Sequence, residues 1–359
     1  MKVVAFICDL SKGGAQGVFV NAVNYLYENG INVEIVVQSL EDPVYKYKLN
    51  NMIQITDLNA KNAKKMILPL KEYLKKNEFT HAFAFGPEIA INLYLLRKWM
   101  KLDFKIIGRS LNTLTQEFSY ADSFFRKKIT ATLIKTFFHR IDFAIAQSTN
   151  MKDDMISNWG FSTDKVVVIN NALQPAYESE AKSEIQNKKE NYIMYAGRLE
   201  KQKGLEMLLK AFFMLKEKSV GLIIIGSGSL KDNLIKQCNE LNIGDRVEFI
   251  EHTTEIMNYY RTAKIVAMTS YFEGFPNVLI EAIACGTPIV AYDLPSGPKE
   301  IIYDGENGYL VPYLDVEAFS KKLDDALKQS WNAHKIKQTS FRYFRKSIMP
   351  EYIKAMEDA

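Results

Sequence analysis

The stretch Ser270-Tyr-Phe-Glu273-Gly-Phe-Pro-Asn-Val-Leu-Ile-Glu281-Ala-Ile-Ala-Cys-Gly-Thr-Pro288 decides how the chain is read. Just before it, Lys264-Ile-Val-Ala-Met268 is the short continuous apolar run of a buried strand. Gly274 and Pro276 then turn the chain, and the apolar run beginning at Pro276 or Asn277 reads as a helix. A helix start leaves backbone N–H groups without internal partners and carries the positive end of the helix dipole, so it is a seat for phosphate. Two carboxylates bracket that seat: Glu273 in the turn, and Glu281 about one turn inside the helix. Carboxylates are poor partners for phosphate itself. They suit sugar hydroxyls, or the positive charge that develops at a reacting sugar carbon.

Working outward, 359 residues exceed a typical single core and suit two domains. A composition of 47% hydrophobic and 25% charged residues is globular. No apolar run reaches the roughly 18 to 20 residues that cross a bilayer. The start, Met1-Lys-Val-Val-Ala-Phe-Ile-Cys8, has an apolar core shorter than the roughly 7 to 15 residues of a signal peptide, and Asp9 follows, so it reads as a first β-strand. Cys8, Cys238 and Cys285 are odd in number, far apart and without metal-ligand spacing; a reducing, cytoplasmic setting is expected. The net charge of +4 is too mild to imply a nucleic-acid partner, and no interleaved aromatic and basic motif supplies one.

In chain order, strand Val3–Cys8, the loop Ser11-Lys-Gly-Gly14-Ala-Gln-Gly17 and an amphipathic helix Val18–Glu28 open a doubly wound α/β sheet. Further strands are predicted at Val33–Gln38, His81–Phe85, Lys105–Gly108, Phe143–Ser148 and Val166–Ile169. Strand C-termini line the cleft of such sheets, which directs attention to Gly86, Arg109 and Ser148. The segments Leu93–Lys105 and Phe124–Arg140 are basic and apolar. In the second, Phe125, Ile129, Leu133 and Phe137 recur at helical spacing, while Lys128, Lys135 and His139 gather on another side. Two readings stand: a core helix with a solvated basic face, or a surface that docks on anionic membrane.

From Asn170 to Lys189 the pattern turns polar, and a linker is placed at 173–190 between an N-terminal domain, 1–172, and a C-terminal domain, 191–340. The second domain restarts with strand Tyr192–Ala196 and the loop Gly197-Arg198-Leu-Glu-Lys-Gln-Lys203-Gly204, followed by helix Leu205–Lys218. Strand Val220–Ile225, loop Gly226-Ser-Gly228, helix Leu230–Leu241 and strands Arg246–Ile250, Ile265–Met268 and Pro288–Ala291 complete it. The last segment, 341–359, reads as an amphipathic helix that crosses back to pack on the N-terminal domain. Arg198 and Lys203 share a sheet edge with Glu273. Two cations facing a helix N-terminus make a diphosphate site, because a leaving pyrophosphate gains charge as its bond breaks.

Gly197-Arg198-Leu199 with Lys203-Gly204, Gly226-Ser-Gly228, the two glutamates with seven residues between them, and Cys285-Gly-Thr-Pro288 through Asp304-Gly-Glu-Asn-Gly308 together resemble the retaining glycosyltransferases of family 4. The resemblance covers most of the second domain; in the first it is clear only at Gly13-Gly14-Ala15-Gln16. It implies the GT-B architecture of two Rossmann-like domains facing across a cleft. It implies that Arg198 and Lys203 hold a donor diphosphate, that Glu281 holds the ribose hydroxyls, and that Glu273 contacts the transferred sugar. It places Gly274, Phe275, Pro276, Asn277, Val278 and Leu279 in the donor site, with backbone N–H groups of this stretch shared between sugar and phosphate. Gly226 and Gly228 join the donor site, and Gly14 approaches the diphosphate from the first domain.

The implied activity is transfer of a hexose or N-acetylhexosamine from a nucleotide sugar, a UDP-sugar foremost, with retention and without an obligatory metal or other cofactor. The implied acceptor is a glycan or polyprenyl-linked glycan, as in capsule, lipopolysaccharide or protein glycosylation, made at the inner face of the cell membrane. No Asp-x-Asp motif ends a strand near the site, and Asp153-Asp154 lies in a helical stretch. The chain departs from the pattern in carrying Arg109-Ser110 where many members have a histidine, and Glu251-His252 where glycine is usual. Arg109 and Ser110 are therefore read as contacts to acceptor or donor sugar, and His252 as either a base contact or a surface residue. Three alternatives remain: a sugar-nucleotide epimerase or a phosphorylase of the same architecture, and a non-catalytic glycan-binding relative.

Overall fold

Val3-Val-Ala-Phe-Ile7 alternates between two separate cores, and this explains why the run is apolar at every position. Val4 and Phe6 pack with Ala82, Ala84 and Ile106, while Val3, Ala5 and Ile7 pack with Val18, Phe19 and Val23. A strand covered on both faces is typical of a parallel sheet between helical layers. The computed structural model describes residues 1–11, 13–120, 124–184 and 188–359, and of residues 124–127 the backbone alone. Two units result: Met1–Gln174 with Arg345–Ala359, and Pro175–Phe344.

The first unit holds β1 (Lys2–Ile7), β2 (Asn32–Val37), β3 (Ile55–Asp57), β4 (His81–Phe85), β5 (Lys105–Arg109), β6 (Phe143–Ala146) and β7 (Val166–Val168), ordered β3-β2-β1-β4-β5-β6-β7. The second holds β8 (Tyr192–Ala196), β9 (Gly221–Ile225), β10 (Val247–Ile250), β11 (Ile265–Met268), β12 (Ile289–Tyr292) and β13 (Gly308–Val311), ordered β10-β9-β8-β11-β12-β13. All pairings between these strands are parallel. Each unit is thus the expected Rossmann-like sheet. In each the strand order reverses once, between β1 and β4 and between β8 and β11, and ligands of such sheets bind beyond the strand ends at that reversal.

Four expectations need correction. The segment assigned as linker contains the helix Pro175–Lys182, a part of the second unit with Tyr177, Glu180 and Ala181 buried. Its buried face carries an ion-paired glutamate, so the run reads as polar although its inward spacing is helical. Within the same segment, 185–187 lie outside the described residues.

The single C-terminal helix is instead a turn Phe341–Tyr343, a short helix Arg345–Ile348 and a helix Pro350–Glu357. Phe344 is extended, and Pro350 opens the last helix, where its missing N–H costs nothing. Met349, Tyr352, Ala355 and Met356 join the core around Val3 and Ala5, so the C-terminal helix packs on the first unit.

The edge strands β3 and β13 were not expected as strands. They span three and four residues, and β3 is largely exposed, so neither shows a buried-strand run.

In the helix Phe124–Phe137, the predicted apolar stripe divides: Phe137 packs against the core, but the middle two members do not. Ile129 and Leu133 are 63% and 43% exposed, whereas Ile134, together with Phe138 just beyond the helix, is buried. The helix carries two apolar stripes, and the i, i+4 pair Ile134 and Phe138 meets the core. The side chains of Phe125, Arg126 and Lys127 lie outside the described residues, as does Lys12 of the first glycine loop.

Candidate active site

At the reversal point of the second unit, the loops that leave β8 and β11 are joined backbone to backbone. Gly204 lies at φ +58°, and a Cβ there would sit 2.2 Å from the Thr269 carbonyl oxygen, so only glycine lets the two loops touch. Tyr271 N–H donates to the Gln202 carbonyl at 2.8 Å, and Gln202 Nε2 donates to the Phe272 carbonyl at 2.9 Å. Arg198, exposed at the far end of the same loop, donates from Nη2 to Gln202 Oε1 at 2.9 Å, while Tyr195 OH donates to the Arg198 carbonyl at 3.0 Å.

This register brings Lys203 Nζ to 2.6 Å from Glu273 Oε1, and Ser270 Oγ donates to the same oxygen at 2.6 Å. Glu273 is 7% exposed, and its carbonyl accepts from Ser296 Oγ. The loop that brings Ser296 is itself pressed onto the turn: Gly297 is at φ +89°, and a Cβ there would meet Pro276 Cδ at 2.5 Å.

The helix Asn277–Ala284 begins one residue after Pro276, as the sequence predicts, and no side chain caps it. Phe275 and Leu279 point into the core, and Phe275 meets Tyr343 at 5.6 Å between ring centroids. Leu279 N–H closes the first turn on the Pro276 carbonyl at 3.1 Å, so this expected ligand donor serves the helix itself. Glu281 accepts from Tyr260 OH at 3.1 Å. Burial, reinforced by Glu281, pushes the Tyr260 phenol well above its ordinary value, so it remains a donor.

Gly226 and Gly228 border the loop after β8. A Cβ on Gly226 would lie 1.8 Å from the Gly197 carbonyl oxygen, and one on Gly228 would lie 2.4 Å from that of Leu199. Leu199 N–H donates to the Ser227 carbonyl at 2.8 Å. Their lack of side chains therefore serves close packing of two loops, and through it the placement of Arg198.

In the first unit, Gly14 opens the helix Gly14–Glu28, with Gln16 Nε2 donating to Asp9 Oδ1 at 2.9 Å beside it. Arg109 is 1% exposed, with its guanidinium 5.1 Å from the Phe85 ring centre. Its Nε donates to Tyr352 OH at 3.1 Å and its Nη2 to Asn171 Oδ1. The buried Ser110 donates from Oγ to the Asn112 carbonyl at 2.9 Å. Both residues are thus engaged within their own unit, and Arg109 ties the C-terminal helix to β5. His252 is exposed on the loop after β10, and Asp153-Asp154 lies in the helix Thr149–Trp159. Among the described residues no group of three or more His, Cys, Asp or Glu side chains could hold a metal ion.

Sequence reasoning missed Ser270, Ser296, Gln202 and Tyr260. Ser270 alone had a local signal, a hydroxyl three residues before a carboxylate in a turn.

Two Rossmann-like sheets in one chain, with paired cations and a carboxylate at the reversal point of the second, define the GT-B class of α/β protein. Residues 12–177 match the family model "Glycosyltransferase Family 4" and residues 177–342 match "Glycosyl transferases group 1". The chain belongs to these family 4, group 1 glycosyltransferases.

Two relatives come from Campylobacter jejuni. The N-acetylgalactosamine-N,N'-diacetylbacillosaminyl-diphospho-undecaprenol 4-alpha-N-acetylgalactosaminyltransferase is 31% identical over 55% of this chain and 54% of its own length. The GalNAc-alpha-(1->4)-GalNAc-alpha-(1->3)-diNAcBac-PP-undecaprenol alpha-1,4-N-acetyl-D-galactosaminyltransferase is 26% identical over 90% of this chain and 88% of its own. The chain spans about half the length of the first curated relatives it matches, 54% and 48%. Among solved structures, Anabaena Alr3699/HepE in complex with UDP and glucose shares the fold with a TM-score of 0.80 at 17% identity over 100% of both chains.

Proposed function

We propose that this chain is a retaining glycosyltransferase that moves a hexose or N-acetylhexosamine from a UDP-sugar to a glycan carried on a polyprenyl lipid. The observation that carries this is the meeting of Lys203 Nζ and Glu273 Oε1 at 2.6 Å, beside Arg198 and the start of Asn277–Ala284. Lys203 and Arg198 would take the donor's diphosphate, Glu281 the ribose and Glu273 the transferred sugar. The acceptor hydroxyl attacks the anomeric carbon on the face that the phosphate leaves: the new C–O bond forms as the old one breaks, and the hydroxyl proton passes to the departing phosphate oxygen. The two cations stabilise the charge growing on that phosphate, so in this reading no metal is obligatory. The undecaprenol-linked acceptors named for the Campylobacter proteins support the lipid-linked acceptor, and the UDP held by HepE supports the donor.

A lipid-borne acceptor calls for access to a membrane surface. Leu95 and Trp99 of Pro87–Met100 and Ile129 and Leu133 of the adjoining Phe124–Phe137 are exposed, with Trp99 at 66%, and exposed Lys98, Lys101 and Lys128 accompany them. We read this as a docking face for anionic lipid at the cytoplasmic leaflet. No helix among the described residues is long and apolar enough to cross a membrane.

Incubation with a panel of nucleotide sugars and lipid-linked acceptors should release UDP. E273Q should abolish transfer and keep UDP binding. Full transfer by E273Q would refute the role of Glu273, and no nucleotide release by the parent protein would refute the donor reading.

A further inference from the structure

Each carboxylate of the Glu273 and Glu281 pair has one oxygen held by a hydroxyl from the core, and the two hydroxyls come from different elements. Ser270, two residues beyond β11, has no exposed surface and donates to Glu273 Oε1 at 2.6 Å. Tyr260, on the helix Ile256–Thr262 that precedes β11, also has no exposed surface and donates to Glu281 Oε2 at 3.1 Å. We infer that Ser270 and Tyr260 are positioning residues with separable tasks: Ser270 aims Glu273 for sugar transfer, and Tyr260 aims Glu281 for nucleotide binding. This rests on the donor reading above.

Ser270 and Lys203 reach the same oxygen of Glu273 by very different means. Lys203 is a long side chain from a neighbouring loop, and in the proposed reaction it also serves the diphosphate. The Ser270 hydroxyl is one bond from Cβ in a buried turn, so it stays on Glu273 while the ammonium is drawn to phosphate. The backbone of Glu273 is pinned from the other side by Ser296 Oγ. Rotation of Glu273 is thereby restricted at its carbonyl and at its carboxylate, leaving one orientation for its contact with the sugar.

Tyr260 is more rigid still. Its ring lies edge-on to Tyr177 at 6.1 Å, and its carbonyl accepts from Thr287 Oγ1. Both ends of the residue are fixed, and the phenol that reaches Glu281 can neither swing away nor ionise in the working range, since burial raises it well above its ordinary value. A ribose presents two adjacent hydroxyls to a carboxylate, and holding both requires a fixed carboxylate plane.

Losing a hydrogen bond to a charged acceptor should change the affected step about tenfold or more. Isothermal titration with UDP and steady-state transfer from a UDP-sugar separate the two steps. S270A should lose its factor in kcat, with the Kd for UDP kept within about twofold of the parent, and S270T should recover most of the loss. S270C, nearly isosteric, serves the same purpose if S270A folds poorly by circular dichroism. Y260F should instead weaken UDP about tenfold, and should bind 2',3'-dideoxy-UDP as the parent does, because the ribose hydroxyls through which it acts are gone.

Equal losses of kcat and UDP affinity in both variants, or a Y260F penalty that persists with the dideoxy analogue, would reduce these hydroxyls to general packing and overturn the assignment. Unchanged behaviour of both would overturn it as well. A parent protein that neither binds UDP nor releases it from any UDP-sugar would fail at the earlier step and take this inference with it.

Discussion

Glu180 should be among the most costly single residues to neutralise in the second unit, and the cost can be worked from its partners. It is 5% exposed, accepts from Arg261 Nη2, and lies 3.1 Å from Lys337 Nζ, itself 1% exposed. Removing one member of a buried pair typically costs about 3 to 5 kcal/mol, because the surviving charge is left uncompensated. Lys337 keeps other acceptors after E180Q: the Glu180 carbonyl at 2.8 Å, the Ser183 carbonyl at 3.1 Å and Ser183 Oγ at 3.2 Å. The low end, about 3 kcal/mol, is therefore expected. At about 2 to 4 °C per kcal/mol for a unit of this size, Tm should fall by about 6 to 12 °C.

The pH dependence supplies a second check. Burial would raise the Glu180 carboxyl, but Arg261 and Lys337 outweigh it and hold the group below its ordinary value of 4.5. A carboxyl lower in the folded state contributes stability that is full above the unfolded value and is lost as pH falls through the folded one. The gap between parent and E180Q should therefore be constant near pH 7 and close below about pH 4.5. Thermal and urea unfolding across that range measure it. A gap under about 1 kcal/mol at pH 7, or one that persists undiminished at pH 3, would refute the account. The ion cluster joins the helices Pro175–Lys182, Ile256–Thr262 and Ala333–Thr339, all of which pack on Asn277–Ala284, so E180Q should also loosen the helix that carries Glu281.

G228A puts a Cβ 2.4, 2.6 and 2.7 Å from the Leu199 carbonyl oxygen, carbonyl carbon and amide nitrogen, all backbone atoms that cannot turn aside. It should cost about 2 kcal/mol or more by thermal unfolding and weaken UDP by displacing Arg198, whereas G305A, with nothing within 4 Å, should cost about 1 kcal/mol from its φ of +80° alone. Equal effects of the two would refute the loop-packing reason for Gly228. For the proposed docking face, the parent should co-sediment with anionic phosphatidylglycerol vesicles and much less with neutral ones, and W99A/I129S should lose this while keeping its unfolding midpoint. Binding to both vesicle types alike would remove the anionic-lipid preference, and no binding to either, or retention by the variant, would remove this face as the docking surface.

What the sequence made legible is what the chain encodes locally. The runs Ile265–Met268 and Tyr192–Ala196 are buried strands because every residue in them is apolar, and Glu273 and Glu281 are visible because a turn and a helix start bracket them within a single stretch. What stayed hidden is set by partners far along the chain. Arg109 read as a sugar contact at a strand end; its partners, 62 and 243 positions away, could not be seen from there, and they make it a tie for the C-terminal helix. Glu180 made a helix look like a linker, since a charge on a buried face is indistinguishable in sequence from a charge in solvent.

The glycines shift most in meaning. Gly204, Gly226, Gly228 and Gly297 each have a backbone or proline atom where a Cβ would stand, so the loops after β8, β9, β11 and β12 rest directly on one another. That stack is what places Lys203 on Glu273 and Ser296 on the Glu273 carbonyl. In the proposed donor reading, Glu273 and the diphosphate compete for one ammonium, and each leaves less of its positive charge to the other. The stack then has to keep Glu273 in place as Lys203 moves between them, a task for short donors such as Ser270 and Ser296 and not for a second flexible cation.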